Sequence, residues 1–433
     1  MLILILYAIG VFFIIHGLYQ IYKYFIVVFK LKNEVNSKIL IKNNHKFFVF
    51  IPVLHEENNI ENLLNNLLPQ EYPEELYKIF IITTQREHLN KSNPNTIDIL
   101  NKIKIANKQW NKNLIHLHYP KVSGFKAEQL SFAFNYVYEE SKSEISNIFF
   151  LLLDGDSLVD KNIISKFNQK IEEDFDLYQQ PLLWFKNIGE IRSPLMKSFS
   201  FLQSFFSISY EIPMFIGKFF PLRLKYLIGN GLLIKGSFLL KIKNFPPIIE
   251  DVRLGRLASF LEAKIKIVPN FIITETAKNF LIQSKQSSVW FFGCGLFLND
   301  YLCALKISNK KRMKDYMMIM YAFFKAFRWA NKGLLQAIGL ILSVIILNKN
   351  LILLYCMSIS LNSIIPVMLV LFSFFNEWNT KVVDRRKVPN IIFQAVICSP
   401  LIYVLGFIGT YLGLFRLIKY YACKKVTLPK TER

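Results

Sequence analysis

Six consecutive apolar residues, Ile148 to Leu153, stop abruptly at two carboxylates, Asp154 and Asp156, with only Gly155 between them. A run without polar alternation reads as a strand buried on both faces, which calls for a parallel sheet with helices on each side. Ligands of open α/β sheets bind beyond the carboxyl ends of such strands. Two carboxylates there make a hard-oxygen pair suited to Mg²⁺ or Mn²⁺, ions that bridge to phosphates. The same residues also suit a plain strand-to-helix turn, with Asp156 or Ser157 capping a helix that starts near Asp160. The rest of the chain bears on that choice.

Upstream of this run, short apolar strands alternate with helical segments. The pattern predicts strands over Phe47–Val53, Ile79–Thr83 and Leu114–Leu117. Helices are predicted over Glu57–Leu68, where Ile60, Leu63, Leu64 and Leu67 recur at helical spacing, and over Ala127–Tyr138. This βαβα order predicts a parallel sheet. His116 and His118 share one face of their strand with no third ligand in reach, so a surface pair outweighs a metal pair. Downstream come a glycine-rich corner at Ile228–Gly231, a strand over Leu232–Lys235, and a second acidic pair, Glu250 and Asp251, behind Pro246 and Pro247. A helix over Val252–Ala263 and a strand over Ile265–Val268 follow.

The two ends of the chain are too apolar for a water-soluble enzyme. Residues 1–29 carry one charge, Lys23, and are long enough to cross a bilayer, which takes roughly 20 residues. No basic region precedes them and no small-residue cleavage site follows, so they do not read as a cleavable signal. Lys30, Lys32, Lys38 and Lys42 come next, which places the carboxyl end of this helix in the cytosol. The 333–418 region supplies further spans: Gly333–Leu347 and Leu351–Phe375 as a hairpin turning at Asn348–Asn350, then Ile391–Ile418, broken or folded back by Pro400 and its glycines. Arg385, Arg386 and Lys387 belong on the cytosolic side, and a hairpin in the last segment would keep the basic tail 419–433 there as well. Between catalytic and membrane parts, 294–332 reads as a basic, Phe-rich interfacial segment. Residues 194–221 read as an amphipathic helix, with Leu195, Phe199, Leu202 and Phe206 on one face and Lys197, Gln203 and Ser204 facing away; the pattern alone suits a core-facing helix nearly as well, and the density of Phe favours the membrane interface.

The net charge of +22 is spread over the whole chain among Asn and Ile rather than gathered in a stripe, so it reads as the codon bias of an AT-rich genome plus attraction to anionic lipid, and not as a nucleic-acid surface. The five cysteines have no C-x-x-C spacing and an odd count, which excludes a disulfide frame or a zinc site as the organising feature.

Taken together, the motifs resemble those of a membrane-bound family-2 glycosyltransferase with a GT-A fold. The resemblance covers roughly residues 46–293. Pro52-Val-Leu-His-Glu56 resembles the family's P-x-x-N-E opening, Gly124-Phe-Lys-Ala127 its G-K-A segment, and Asp154-Gly-Asp156 its D-x-D. Ile228-Gly-Asn-Gly231 resembles the turn lining the acceptor side, Ile249-Glu-Asp251 the E-D motif, and Gln286-Ser-Ser-Val-Trp290 the Q-x-x-R-W motif of the membrane-embedded branch. Two departures stand out. Thr83-Thr84-Gln85 replaces an early Asp that bears on nucleotide selection, and Val289 replaces the Arg of Q-x-x-R-W, removing a cation near the diphosphate or acceptor.

The resemblance implies an α/β architecture: a GT-A, Rossmann-like nucleotide-sugar domain over 46–293, between an N-terminal transmembrane helix and a C-terminal transmembrane bundle. It implies Asp251 as catalytic base, Asp156 as ligand of Mg²⁺ or Mn²⁺, and Glu56, Lys126 and Asp154 around the nucleoside diphosphate sugar. Gly231, Glu250, Gln286 and Trp290 fall on the acceptor side. The expected activity is inverting transfer of a sugar to a lipid or lipid-linked acceptor at the cytosolic membrane face. A processive polysaccharide synthase, or a transporter or inactive scaffold, are the alternatives. The first wants an intact Q-x-x-R-W, and the others do not explain Asp154, Asp156 and Asp251.

Overall fold

The structure, a computed structural model, describes residues 1–35, 44–89, 94–106, 112–122, 126–215 and 223–423. Lys38, Lys42, Gly124, Phe125, 216–221 and most of the basic tail lie outside the described residues.

The chain opens with one long helix, α1 (Leu2–Val35). The catalytic part then alternates β1 (Lys46–Pro52), α2 (Ile60–Leu67), β2 (Tyr77–Thr84), α3 (Thr96–Ala106), β3 (Leu114–Tyr119), α4 (Lys126–Ser141) and β4 (Ile148–Leu152). After α5 (Ile163–Asn168) come β5 (Leu177–Gln179), β6 (Leu182–Leu183), α6 (Pro194–Phe206), which runs through a π-turn into α7 (Ile212–Phe215), then β7 (Leu232–Lys235) and α8 (Gly236–Ile242). The part closes with α9 (Glu250–Phe260), β8 (Ile265–Ile267) and β9 (Ile272–Ile273).

Seven strands form one sheet in the order β3-β2-β1-β4-β7-β5-β8, and β6 pairs with β9 beside it. The four strands β3, β2, β1 and β4 run parallel, as the βαβα order predicts. β7 does not: it pairs antiparallel with both β4 and β5, so the sheet is mixed and not wholly parallel. A short apolar run such as Leu232–Lys235 carries no direction. Side chains alternate across each strand. Phe48, Phe50, Phe150 and Leu152 pack on one face with Leu130 and Phe134 of α4, and Phe47, Val49, Phe149 and Leu151 pack on the other with Leu63 and Leu67 of α2. The chain leaves β1 toward β2 and β3 and returns to β4 on β1's other side. The carboxyl ends of β1 and β4 therefore meet at a topological switch point, where such sheets open a crevice.

The remaining helices are α10 (Phe280–Gly295), α11 (Phe297–Ser308), α12 (Met313–Ile345), α13 (Lys349–Asn362), α14 (Ile364–Ser373), α15 (Phe375–Asn379), α16 (Val388–Ile397), α17 (Ser399–Leu405) and α18 (Phe407–Cys423). Three stretches are long and apolar enough to cross a membrane: Leu2–Leu31, Lys349–Ser373 and Ser399–Cys423, with the pair α10 and α11, bent by 43°, as a further candidate. These mark the chain as membrane-associated. The turn expected at Asn348–Asn350 is present, with Asn348 capping α13 through Leu351 N at 3.1 Å.

Two interfacial readings change. α6 is not a helix laid on a membrane with a polar side outward. Lys197 and Ser204, expected to face away, are buried: Lys197 Nζ donates to Gln394 Oε1 of α16 at 2.7 Å, and Ser204 Oγ accepts from Trp184 N at 3.0 Å. Phe201 and Phe205 pack with Tyr24 of α1, Val367 of α14 and Ile391 of α16. The helical pattern was right, but the polar side is covered, and serine hydroxyls there bond back to helix carbonyls, as Ser200 does to Met196 O at 3.1 Å, while Phe199, Leu202 and Phe206 line the cleft described below. The division between 294–332 and 333–418 also falls inside one continuous helix, α12.

Candidate active site

The crevice at the switch point is built around Lys126. As the first residue of α4 it reaches the end of β4, where Nζ donates to Asp154 Oδ1 at 2.6 Å. The same ammonium donates to Gly229 O at 3.3 Å and lies 3.7 Å from Glu250 Oε1. Gly229 N in turn donates to Asp251 Oδ2 at 2.8 Å, and Val252 N donates to Asp251 Oδ1 at 2.7 Å. One network therefore joins the G-K-A lysine, the D-x-D strand end, the glycine corner and the E-D pair.

The turn after β4 is not a helix cap. α5 begins only at Ile163, and Ser157 Oγ donates instead to Asn230 Oδ1 at 2.8 Å, which also accepts from Asp154 N at 3.3 Å. Glu56 closes over the turn from the end of β1. A Cβ on Gly155 would sit 2.9 Å from Glu56 Cγ, so only glycine lets the two segments approach this closely. Asn59 Nδ2 donates to Glu56 Oε2 at 3.1 Å and holds it there. Asp156 is buried, and its carbonyl accepts from Lys186 Nζ at 2.7 Å.

The acidic pair is presented by strained backbone. Ile248 and Ile249 adopt φ of +62° and +55°, left-handed values that are outliers for β-branched residues. Such strain persists only where surroundings enforce it, and Ile249 packs closely against Gly293 of α10. The result sets Glu250 and Asp251 at the start of α9 facing Lys126. Burial pushes the Glu250 carboxyl up to about 7, against the pull of Lys126. Asp251 is raised in the same way, by burial first and with Lys126 opposing. For Lys126, burial disfavours the charge, but Asp154, Glu250 and Asp251 outweigh it and hold the ammonium firmly protonated.

Glu56, Lys126, Asp154, Asp156, Glu250, Asp251, Gln286 and Trp290 all line one cleft of about 1390 Å³. Trp290 meets Trp184 edge-on, with ring centroids 5.8 Å apart. Gln286 is buried, and its Oε1 has no hydrogen-bond partner among the described residues. Gly231 is the exception to this grouping. Its amide donates to Leu152 O and its carbonyl accepts from Gln180 N, both at 2.9 Å, so it turns the corner into β7 with φ +66° while Gly229 faces the cleft. His116 and His118 also lie apart, both meeting the Thr83 hydroxyl, at 2.8 and 2.9 Å.

Lys186 went unread in the sequence. Lys186 Nζ bridges Asp156 O, Asn59 Oδ1 at 2.9 Å and Glu275 at 3.1 Å, tying both sides of the crevice together. It is a lone lysine in a stretch without periodicity, and nothing local marks it.

Residues 48–229 match the profile of Glycosyl transferase family 2. These residues thus form a family 2 glycosyltransferase domain, and the chain is a glycosyltransferase. No curated protein sequence matches it. Among solved structures it is similar to the mannosyltransferase PcManGT from Pyrobaculum calidifontis, in complex with GDP-Man and Mn²⁺, at 13% identity over 91% of this chain and 98% of that one, TM-score 0.47. It is also similar to S. aureus TarS in complex with UDP-GlcNAc, at 14% identity over 90% and 98%, TM-score 0.44. A third is glucosyl-3-phosphoglycerate synthase from Mycobacterium tuberculosis in complex with Mn²⁺ and UDP-Glc, at 12% identity over 60% and 80%, TM-score 0.37.

Proposed function

We propose that the chain transfers a sugar from a nucleoside diphosphate sugar to a lipid or lipid-linked acceptor at the cytosolic face of a membrane, with inversion at the anomeric carbon. The observation that carries this reading is the network from Asp154 through Lys126 and Gly229 to Asp251, set in a cleft that continues between helices of the apolar C-terminal region. The cytosolic side follows from the lysines after α1 and from Arg385, Arg386 and Lys387.

Each residue has a part in one displacement. The acceptor hydroxyl attacks the anomeric carbon as the bond from that carbon to the diphosphate oxygen breaks. Asp251 takes the hydroxyl proton, and the nucleoside diphosphate departs. Asp251 can do so although both its oxygens accept backbone N–H bonds, because a carboxylate has about four lone-pair positions. Burial raises its basicity, which favours proton transfer. Lys126 keeps Asp154 placed and offers its charge to the diphosphate, and Glu56 shapes the nucleotide side. Glu250, Gln286 and Trp290 flank the acceptor.

The donor set fits a divalent metal. Mg²⁺ and Mn²⁺ sites in such enzymes use one or two carboxylates and complete their shell with water and substrate phosphates. The described residues hold no group of three metal-binding side chains, but they do place Asp154 and Asp156 together at a strand end. Asp156, with Asp154 beside it, would hold the ion, which supplies Lewis-acid stabilisation of charge on the leaving diphosphate.

The test is transfer of labelled sugar by purified protein in lipid nanodiscs, with a panel of nucleoside diphosphate sugars. Labelled lipid should form with Mg²⁺ or Mn²⁺ and vanish in excess EDTA. Full activity in EDTA would remove the metal role, and label found only in long polymer would favour a synthase.

A further inference from the structure

The cleft does not end at the sugar site. It runs on between α1, α12, α13 and α17, where it is lined by Tyr210, Glu211, Lys325, Arg328, Lys332 and Tyr403. Lys325, Arg328 and Lys332 are spaced by three and four residues and so share one face of α12. That face points into the cleft. The opposite face is apolar and exposed: Met320, Phe323, Phe324 and Phe327 are each half exposed or more. Cations inside and phenylalanines outside is the reverse of a water-soluble helix and the order expected beside lipid, where charged groups turn to the bundle interior.

These cations have company but little compensation. Arg223 and Lys325 both lie over the Tyr210 ring, at 4.7 and 4.6 Å, and buried Lys23 lies over it at 5.5 Å. Lys23 Nζ has no hydrogen-bond partner among the described residues. Lys332 lies over Tyr403 at 5.1 Å. Glu211 also lines this part and feels the Lys325 charge, but it forms no ion pair with it; its oxygens accept from Ser207 Oγ at 2.5 Å and Tyr226 Oη at 3.0 Å. Among the described residues no carboxylate forms an ion pair with Lys325, Arg328 or Lys332. Each ion taken from water costs several kcal/mol unless an opposite charge repays it. Such a cluster beside a catalytic cleft marks a place for an anion.

We infer that the inner half of the cleft, faced by Lys325, Arg328 and Lys332 of α12, binds the phosphate of an anionic lipid and so selects a phosphate-bearing lipid as the acceptor. The inference rests on the glycosyl-transfer reading for its word "acceptor", but not for the anion site itself. Planar guanidinium and point-charge ammonium groups are the side chains that grip phosphate oxygens. The lipid tail has a route along Leu361, Pro366, Ile402 and Phe407, which line the same cleft from α13, α14, α17 and α18. Because Asp251 is assigned to take a proton, the lipid carries a free hydroxyl as well as its phosphate. Val289 lines the same cleft without charge.

The experiment uses the full chain in phosphatidylcholine nanodiscs doped with phosphatidylglycerol or, at equal amount, diacylglycerol. Retained lipid is read by native mass spectrometry and, separately, binding of UDP and GDP by calorimetry. Phosphatidylglycerol should be retained over diacylglycerol, and the double variant Arg328→Gln, Lys332→Gln should lower its retention about tenfold or more, the worth of a charge-assisted hydrogen bond or two. Arg328→Lys, which keeps the charge, should hold most of it and guards against misfolding. Equal retention of diacylglycerol, or a double variant that retains phosphatidylglycerol like the parent, overturns the inference. So does a double variant that loses UDP or GDP binding while keeping the lipid, since the cations would then serve the donor diphosphate. Retention is read without turnover. Specific retention with no sugar transferred from any donor would thus leave the anion site standing and sink the reading of the chain's function.

Discussion

Lys126 Nζ lies 2.6 Å from Asp154 Oδ1, which fastens the first residue of α4 to the end of β4. The lysine lies within ion-pair distance of both Asp154 and Glu250, so it offsets the repulsion among the carboxylates gathered there.

Replacing that cation should therefore hurt donor use first. Lys126→Met is expected to raise KM for the nucleotide sugar and lower kcat/KM by roughly 10- to 150-fold, matching about 1.5–3 kcal/mol for a hydrogen bond to a charged group. Steady-state kinetics at saturating acceptor will read it. An unchanged donor KM would take Lys126 out of the donor site.

Glu250 gives the protein a pH dependence of stability with a definite sign. Its folded-state pKa is raised from 4.5 to about 7 by burial, so the folded protein binds this proton more tightly than the unfolded chain does. Stability from this group is fully present below about 4.5, falls as pH rises through about 7, and is flat above. Asp251 shifts in the same direction and titrates jointly with it. The melting temperature in detergent should fall between about pH 5 and about pH 8, and Glu250→Gln should flatten most of that slope. A slope of opposite sign, or one untouched in the variant, would mean that Glu250 is ionised throughout.

Gly229 is the point where the corner before β7 touches both charged partners. A Cβ there would lie 2.8 Å from Lys126 Nζ and 3.1 Å from Asp251 Oδ2. Gly229→Ala should displace the flexible lysine end and disturb the Gly229 N bond to Asp251, lowering turnover while leaving the melting temperature nearly unchanged. Gly231→Ala should do the opposite. Its φ of +66° and a 2.5 Å approach to Ile272 Cδ1 put the cost in the sheet. Thermal melts and turnover measured together on both variants separate the two effects, and loss of stability in Gly229→Ala would contradict this division.

Much of this arrangement could be read from residue order because buried strands and their acidic ends have strong local signals. Ile148–Asp156 announced both the central strand and the crevice, and the Pro-Pro-Ile-Ile-Glu-Asp stretch announced the second acidic pair. Direction is different, since Leu232–Lys235 reads the same whether it pairs parallel or antiparallel. Burial of polar groups is also hidden. Lys197 and Ser204 looked outward because a single helix gives no sign that a second layer covers it. The cations of α12 were visible only as part of a basic stretch. Their shared face, with Phe323 and Phe327 opposed, becomes meaningful once the cleft is seen to pass behind them.

Asp251 carries the sharpest prediction about chemistry. With Gly229 N and Val252 N fixing both its oxygens, the carboxylate is positioned and need not reorganise to accept a proton. Asp251→Asn should keep at most one of the two backbone contacts, through its amide oxygen, and should cut transfer by about 10² to 10⁴, the usual worth of a general base. Donor affinity should survive, because diphosphate contacts are assigned to Asp156 and Lys126. Asp156→Asn should show the reverse pattern, losing donor affinity and metal dependence along with rate. Glu250→Gln, beside it on α9, should be milder than either. Nuclear magnetic resonance of the glycosylated product should show the anomeric configuration inverted, since one displacement occurs and no second nucleophile is assigned. Near-parental transfer by Asp251→Asn, or a product of retained configuration, would overturn the base assignment and the single-displacement mechanism together.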